Sequence, residues 1–90
     1  MKRFMIERDI QAIGGAEPEE MRAIARRSIE LIEQFRPDIE WVESYVADDK
    51  MYCVYLARDM VVLAEYVDAS GFPADRVNEI RSTLDPSAAA

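Results

Sequence analysis

Residues 39–57, IEWVESYVADDKMYCVYLA, decide the fold of this chain. Residues 39–47 mix β-branched and aromatic side chains with polar ones, and residues 51–57 form a second run of strand-forming residues. Between them, Asp48-Asp49-Lys50 supplies the chemistry of a turn. The stretch therefore predicts two antiparallel strands joined as a hairpin.

Before the hairpin, the sequence predicts a strand and then a helix. Residues 3–10 alternate with the period of a strand, and Phe4 and Ile6 share one face. A helix begins at Pro18, because the missing N–H of proline costs nothing at the first helical position, and it ends before Pro37. Its apolar face carries Met21, Ile24, Ala25, Ser28, Leu31, Ile32 and Phe35.

After the hairpin, a second helix and a last strand are predicted. Asp59 is a good N-cap, and Gly71 suits the left-handed residue that ends a helix. Residues 77–84 alternate weakly and predict a strand, and residues 87–90 predict a flexible tail. The apolar face of this second helix is predicted to carry Met60, Leu63, Ala64 and Val67.

The resulting order is strand, helix, strand, strand, helix, strand, which predicts an α+β fold. Its common compact solution is the βαββαβ arrangement, in which both helices cover one face of a four-stranded antiparallel sheet. At 90 residues and 50% apolar composition, the chain suffices for one hydrophobic core. We therefore expect a single domain over residues 1–86.

The sheet face without helices is predicted to pair with a second copy. If Val42 and Val46 point to the helices, the opposite side of their strand displays Ile39, Trp41 and Tyr45. An uncovered apolar patch of that size is typical of an interface or a ligand groove. We expect a homodimer of the dimeric α/β-barrel kind, sheet against sheet, with Trp41 and Tyr45 at the interface.

Composition argues against several classes of partner. The net charge of −7, from 18 acidic and 11 basic residues, repels phosphate backbones and anionic lipid head groups. The amino terminus is charged from Lys2 onwards, and no later window approaches the length of a membrane span. We expect a cytoplasmic protein that binds neither nucleic acid nor membranes.

Few side chains are suited to catalysis or metal binding. The chain has no histidine and one cysteine, Cys53, which lies in an apolar run and is predicted to be a packing residue. The Gly14-Gly15 pair lacks the pattern of a phosphate-binding loop and predicts a turn. Carboxylates and phenols remain as candidate functional groups.

A three-residue turn in the hairpin would place some of these groups together on the open sheet face. Glu43 would then face Tyr55, and Tyr45 would face Cys53, whereas a two-residue turn would shift this register. Glu7 on the first strand would lie roughly 10 Å from Glu43. The predicted ligand pocket comprises Glu7, Glu43, Tyr45, Tyr55 and, on the second helix, Tyr66.

Two interpretations of these residues stay open. A carboxylate half-buried among aromatic rings has a raised pKa, which suits proton transfer. Alternatively, Glu7 and Glu43 lie at a hydrated dimer seam, paired with Arg8 or Arg81. Tyr66 also has a structural interpretation, in which its ring packs and its hydroxyl is exposed.

Three stretches resemble a bacterial family of unknown-function domains that includes a nickel-binding, ferredoxin-like branch. The similarity is carried by residues 4–10 (FMIERDI), by residues 41–55 (WVESYV through DKMYCVY) and by residues 71–77 (GFPADRV). It implies a ferredoxin-like dimer and, by analogy, a divalent metal. In that family histidine is frequent where this chain has Glu43 and Tyr66. Glu43 is thus the only metal candidate, and the loss of imidazole favours oxygen-liking ions or none.

Three functions follow as hypotheses. The first is a small homodimeric binding protein that holds a small ligand, or weakly a divalent metal, at the open sheet face. The second is a cofactor-free oxygenase or isomerase of the dimeric α/β-barrel type, in which Glu43 removes a proton and a tyrosine steadies the anion. The third is a structural or regulatory interaction protein.

Overall fold

The computed structural model describes residues 1–89. In chain order the main elements are β1 (Lys2–Asp9), α1 (Pro18–Glu33), β2 (Ile39–Val46), β3 (Lys50–Ala57), α2 (Met60–Ser70) and β4 (Arg76–Ile80). Short 3-10 turns cover Ile13–Gly15 and Pro86–Ala89. The four strands form one sheet in the order β2-β3-β1-β4, and each neighbouring pair is antiparallel. The arrangement is the predicted ferredoxin-like βαββαβ fold.

Both helix starts and the end of α2 follow the predicted signals. Pro18 occupies the first turn of α1. The Asp59 carboxylate accepts a hydrogen bond from the Val62 backbone N–H at 2.9 Å, which caps α2. Gly71 ends α2 with a φ of 69°, in the left-handed region that glycine adopts without strain.

The last strand is shorter than the predicted residues 77–84. β4 pairs with β1, and Ile80 lies opposite Arg3 near the beginning of the chain. The ladder ends at this pair, one residue from the first residue of β1, Lys2. Pro86–Ala89 is an exposed 3-10 turn. The predicted tail, residues 87–90, includes Ala90, which lies outside the described residues, and its flexibility stays a prediction.

The hydrophobic core lies between the sheet and the helices. Phe4 and Ile6 on β1 are 1% and 0% exposed, as the alternation of that strand predicts. Ile32 and Leu63 pack against them from the two helices. Cys53 is buried in the same core, which confirms its predicted packing position.

Helix α2 is rotated relative to the predicted apolar face. Met60 is 46% exposed and Ala64 is also exposed, so their predicted core positions are wrong. Val62 and Tyr66 are buried instead. In the core, the Tyr66 ring packs against Phe35 and its hydroxyl shares a hydrogen bond with Tyr55, and these contacts hold that side of the helix against the sheet.

The predicted turn at Gly14-Gly15 packs against the hairpin. The Gly14 N–H donates to the Asp48 carbonyl oxygen at 2.9 Å. A Cβ atom at Gly14 would lie 2.7 Å from the Ala47 carbonyl oxygen, so only glycine permits this approach. The turn thereby fixes the hairpin tip against the end of β1.

One face of the sheet is left without helices, and we call it the open face.

In residues 1–89, no helix combines the length and the apolar character needed to cross a membrane.

Candidate functional site

The hairpin turn has two residues, not the three that the predicted pocket required. Val46 lies opposite Met51, and the Ala47 N–H donates to the Lys50 carbonyl oxygen at 2.8 Å, so Asp48 and Asp49 form the connection. As a result, two predicted cross-strand pairs are wrong. Glu43 lies opposite Val54 rather than Tyr55, and Tyr45 lies opposite Tyr52 rather than Cys53.

A β-bulge at Val42 changes which side chains of β2 face the helices. Trp41 lies opposite Tyr55 and Glu43 lies opposite Val54, which leaves Val42 as the extra residue. One extra residue reverses the alternation of the strand. The prediction that Ile39 and Trp41 lie on the open face is therefore wrong.

The two residues of the predicted interface, Trp41 and Tyr45, lie on opposite faces of the sheet. Ile39 is 0% exposed, and Trp41 packs against the core on the helix side. Tyr45 follows the bulge, lies on the open face and is 54% exposed. Val42, predicted to face the helices, is 44% exposed and borders the open face. Of the predicted pair, only Tyr45 is placed where a second copy could reach it.

The structure divides the five predicted pocket residues into two groups. Glu7, Glu43 and Tyr45 lie on the open face, whereas Tyr55 and Tyr66 lie in the core on the other side of the sheet. Tyr55 is 2% exposed and Tyr66 is 1% exposed. Because the sheet separates the two groups, these five residues do not line one pocket.

The open face contains a groove of about 360 Å³, which we call the open-face groove. Glu43 and Tyr45 lie at one side of it, and the Glu43 carboxylate raises the pKa of the Tyr45 phenol. Glu43 is exposed to solvent in the single chain. One chain therefore does not give Glu43 the desolvated surroundings that the enzyme hypothesis requires. The other walls are formed by Arg3, Met5, Val42, Val54, Ile80, Ser82, Thr83 and Leu84.

Glu7 lies outside this groove, in a small network of ion pairs. Its carboxylate is 3.3 Å from the Lys50 ammonium and 3.8 Å from the Arg76 guanidinium. The expected pairing with Arg8 or Arg81 is wrong. Arg8 points to the opposite face of β1, and Arg81 pairs with Glu79. Such partly exposed pairs contribute little stability and orient the strand ends.

On the helix side, a polar cluster lies inside the core. Arg8 is 3% exposed, and its Nη2 donates to the Tyr55 hydroxyl at 3.3 Å. The Tyr55 and Tyr66 hydroxyl oxygens are 3.1 Å apart and share a hydrogen bond. Sequence reasoning missed Arg8, although the alternation of β1 places it on the same face as Phe4 and Ile6.

Burial keeps both phenols of this cluster protonated. Loss of solvent raises the pKa of Tyr55 and of Tyr66 above the ordinary tyrosine value. The Phe35 ring meets the Tyr66 ring edge-on at a centroid distance of 5.7 Å. The expectation that Tyr66 exposes its hydroxyl is wrong, because Tyr55 supplies that hydroxyl with a partner inside the core.

Replacing Tyr55 with phenylalanine should cost more stability than the same change at Tyr66. The Tyr55 hydroxyl serves both Arg8 and Tyr66, so its loss leaves two buried groups without a partner, at about 1–3 kcal/mol. We expect a smaller loss for Tyr66→Phe and almost none for Tyr45→Phe on the open face. Urea unfolding followed by circular dichroism measures all three, and equal losses for Tyr55→Phe and Tyr45→Phe would contradict the cluster.

Comparison with known proteins places the chain in a family. The sequence model of the family described as nickel responsive protein SCO4226-like matches residues 4–80. The chain belongs to this family. SCO4226-like proteins thus include this small chain, and the family resemblance seen in its sequence is confirmed.

A solved structure with the same fold comes from the protein that names this family. The crystal structure of SCO4226 from Streptomyces coelicolor A3(2) matches with a TM-score of 0.73 at 12% sequence identity. The match covers 91% of this chain and 99% of that chain. At this identity the likeness shows the fold alone. No curated protein matches the sequence.

The residues of one chain do not fit a nickel site. Across residues 1–89, no group of three or more His, Cys, Asp or Glu side chains comes together. The sequence contains no histidine, and imidazole is the common protein ligand of nickel. Glu43, the one predicted metal candidate, lies opposite an apolar residue, Val54, on β3.

Proposed function

We propose that this SCO4226-like protein is a homodimeric binding protein, in which two open faces meet and the open-face groove takes a small ligand. The observation that carries the proposal is the apolar surface left exposed around this groove. Leu84 is 86% exposed, Tyr45 54% and Val42 44%. Exposed apolar side chains gathered at one groove are typical of an interaction site.

A second copy of the same chain suits this face. A two-fold dimer sets the same patch against itself, so each groove would be closed by the partner's groove residues. Stable interfaces bury about 1,200–2,000 Å² in total, an area that two such sheets can supply. Charged side chains lie at the rim, where Lys50 and Arg76 surround Glu7, and this matches the polar border of protein interfaces.

The groove favours a ligand with both polar and apolar parts. Met5 and Val54 offer an apolar wall, and the Glu43 carboxylate and the oxygen of the adjacent Tyr45 hydroxyl offer hydrogen-bond acceptors. A small molecule with an amine or hydroxyl group next to an apolar body would match this arrangement. Closure by a second copy would also exclude water and strengthen these polar contacts.

Tyr45→Arg should convert the dimer to a folded monomer. The substitution places a charge within the proposed interface, where loss of solvent around the guanidinium would oppose association. Ile29→Arg is the matched control, because Ile29 is 51% exposed on α1, away from the open face. Sedimentation velocity should give a dimer for the wild type and for Ile29→Arg, and a monomer for Tyr45→Arg.

A thermal-shift screen tests for the ligand. The wild type, Tyr45→Arg and Ile29→Arg are each screened against small metabolites and nickel chloride. A ligand present at 100 times its dissociation constant adds about 2.7 kcal/mol of stability. We expect a hit on the wild type that Tyr45→Arg loses and Ile29→Arg keeps. A monomeric wild type, or a dimer untouched by Tyr45→Arg, would refute the proposed interface.

A further inference from the structure

Arg8 is a buried cation without a carboxylate partner. Its Nη1 donates to the Pro73 carbonyl oxygen at 2.7 Å, and its Nη2 donates to the Tyr55 hydroxyl. Within residues 1–89, every ion pair involves other arginines or lysines. An arginine guanidinium is always protonated in proteins, so a positive charge lies in the core with only neutral acceptors.

A cavity of about 30 Å³ borders this guanidinium. Trp41 and Phe72 form apolar walls, and Ser44 contributes a hydroxyl. The Ser44 oxygen accepts a hydrogen bond from Trp41 Nε1 at 3.0 Å, which leaves the hydroxyl hydrogen available as a donor. The cavity therefore combines a buried cation, a further donor and apolar walls.

The charge balance of this cavity is incomplete. Burying an ion without a counter-charge carries a desolvation penalty that remains after the protein relaxes. The Phe72 ring, 6.0 Å from the Arg8 guanidinium, and the Pro73 carbonyl offset part of this cost. The net charge of −7 repels anions at long range, but salt screens that repulsion beyond about 8 Å. A small anion in contact with Arg8 would supply the missing charge.

We propose that the cavity beside Arg8 binds a small planar oxyanion, a carboxylate or bicarbonate, with the Arg8 guanidinium as its main donor and the Ser44 hydroxyl as a second. The planar fork of arginine matches a carboxylate in two parallel hydrogen bonds. A water molecule occupies about 10–15 Å³ by the same measure, so the cavity of about 30 Å³ holds two or three non-hydrogen atoms, which is the size of one carboxylate group. The site lies on the opposite side of the sheet from the open-face groove and stands independently of the proposed dimer.

Fluorescence of the single tryptophan tests this proposal directly, because Trp41 lines the cavity. The full-length protein is titrated with sodium formate, acetate, bicarbonate or benzoate, each against sodium chloride at constant pH and ionic strength. We expect a saturable fluorescence change and a higher Tm with formate and acetate or with bicarbonate. Chloride should have no such effect, and benzoate, which exceeds the cavity, should bind more weakly. The comparison of carboxylates with bicarbonate identifies the preferred oxyanion.

Two variants and one control assign the response to this site. Arg8→Lys keeps the charge but loses the planar fork, and should weaken oxyanion binding by about ten-fold or more. Ser44→Ala should weaken oxyanion binding by a smaller factor. If Arg8→Lys does not fold, the result for Ser44→Ala tests the site. Arg27→Lys is the control, because Arg27 lies 5.7 Å from the Phe72 ring but outside the cavity, and it should bind like the wild type.

The proposal is overturned if the wild type gives no saturable response, or if chloride gives the same response as the oxyanions. Equal losses in Arg8→Lys and Arg27→Lys would also overturn it. Tyr45→Arg should keep oxyanion binding, so failure of the proposed dimer and failure of this site are separate results.

Discussion

A Trp41→Arg variant is expected to lose most of its folding stability rather than to form a folded monomer. Trp41 packs on the helix side of β2 opposite Tyr55 and borders the cavity that contains the Arg8 guanidinium. The substitution removes a large apolar ring and places a second cation beside a buried one, and no carboxylate is among the residues that line the cavity between them. The combined cost is several kcal/mol, which is comparable to the total stability of about 5–15 kcal/mol of a small domain.

Val46→Arg is the matched control for this experiment. Val46 lies on the same strand, but its side chain is 44% exposed and is not part of the open-face groove. Urea unfolding followed by circular dichroism should show a strong loss of stability for Trp41→Arg and little change for Val46→Arg. A folded Trp41→Arg monomer would instead place the tryptophan on the open face, at the interface that the sequence pattern predicted.

Alkaline pH should unfold the protein cooperatively through the two buried tyrosines. Burial raises the pKa of Tyr55 and of Tyr66 in the folded state, whereas the unfolded chain has the ordinary tyrosine value of 10.0. The folded state therefore keeps both protons at pH values where the unfolded state releases them. This contribution is fully present below pH 10.0 and decreases as the pH rises above it, by about 1.4 kcal/mol per pH unit for each tyrosine.

Phenolate absorbance and circular dichroism, recorded together through an alkaline titration, measure this effect. We expect part of the absorbance change of the four tyrosines to coincide with the loss of circular dichroism. Tyr45→Phe serves as the exposed control and should leave the unfolding midpoint in place. If Tyr55 and Tyr66 ionise while the circular dichroism stays native, the buried cluster is wrong.

The two proposed sites use the opposite faces of the same strands. On β1, Glu7 points to the open face and Arg8 points into the core, and on β2 the same division separates Glu43 from Ser44. A ligand on one side could thus affect the other side only through the backbone of the sheet. This arrangement allows a dimer seam and an anion site to be tested by different variants of one chain.

The element order and most element boundaries could be predicted because local signals fix them. Pro18, Asp59 and Gly71 each act on backbone groups within one turn of their own position, through a missing donor, a side-chain acceptor or a permitted left-handed conformation. The end of β4 could not be predicted in this way, since it depends on where its partner strand begins. Local chemistry starts and stops helices, whereas strand ends depend on the neighbouring strand.

The candidate site was less predictable, because its composition depends on strand register. The predicted pocket relied on a three-residue turn and on unbroken alternation in β2, and neither holds. One fewer turn residue and one extra residue at Val42 were enough to move Trp41 and Tyr55 to the core side, while Glu43 and Tyr45 stayed on the open face. Each of these shifts involves a single residue, so composition alone does not encode it.

By itself, the sequence determined the βαββαβ order, the half-covered sheet and the family to which the chain belongs. Only the tertiary structure decided that Arg8 lies buried beside Tyr55 and Tyr66, and that Trp41 borders that cluster instead of the open face. The physical reason is that the pairing of whole strands decides on which face of the sheet a side chain lies. The packing of a large ring such as Tyr66 against the sheet decides which side of a helix is buried. Those are contacts between residues distant in the chain, and no local pattern contains them.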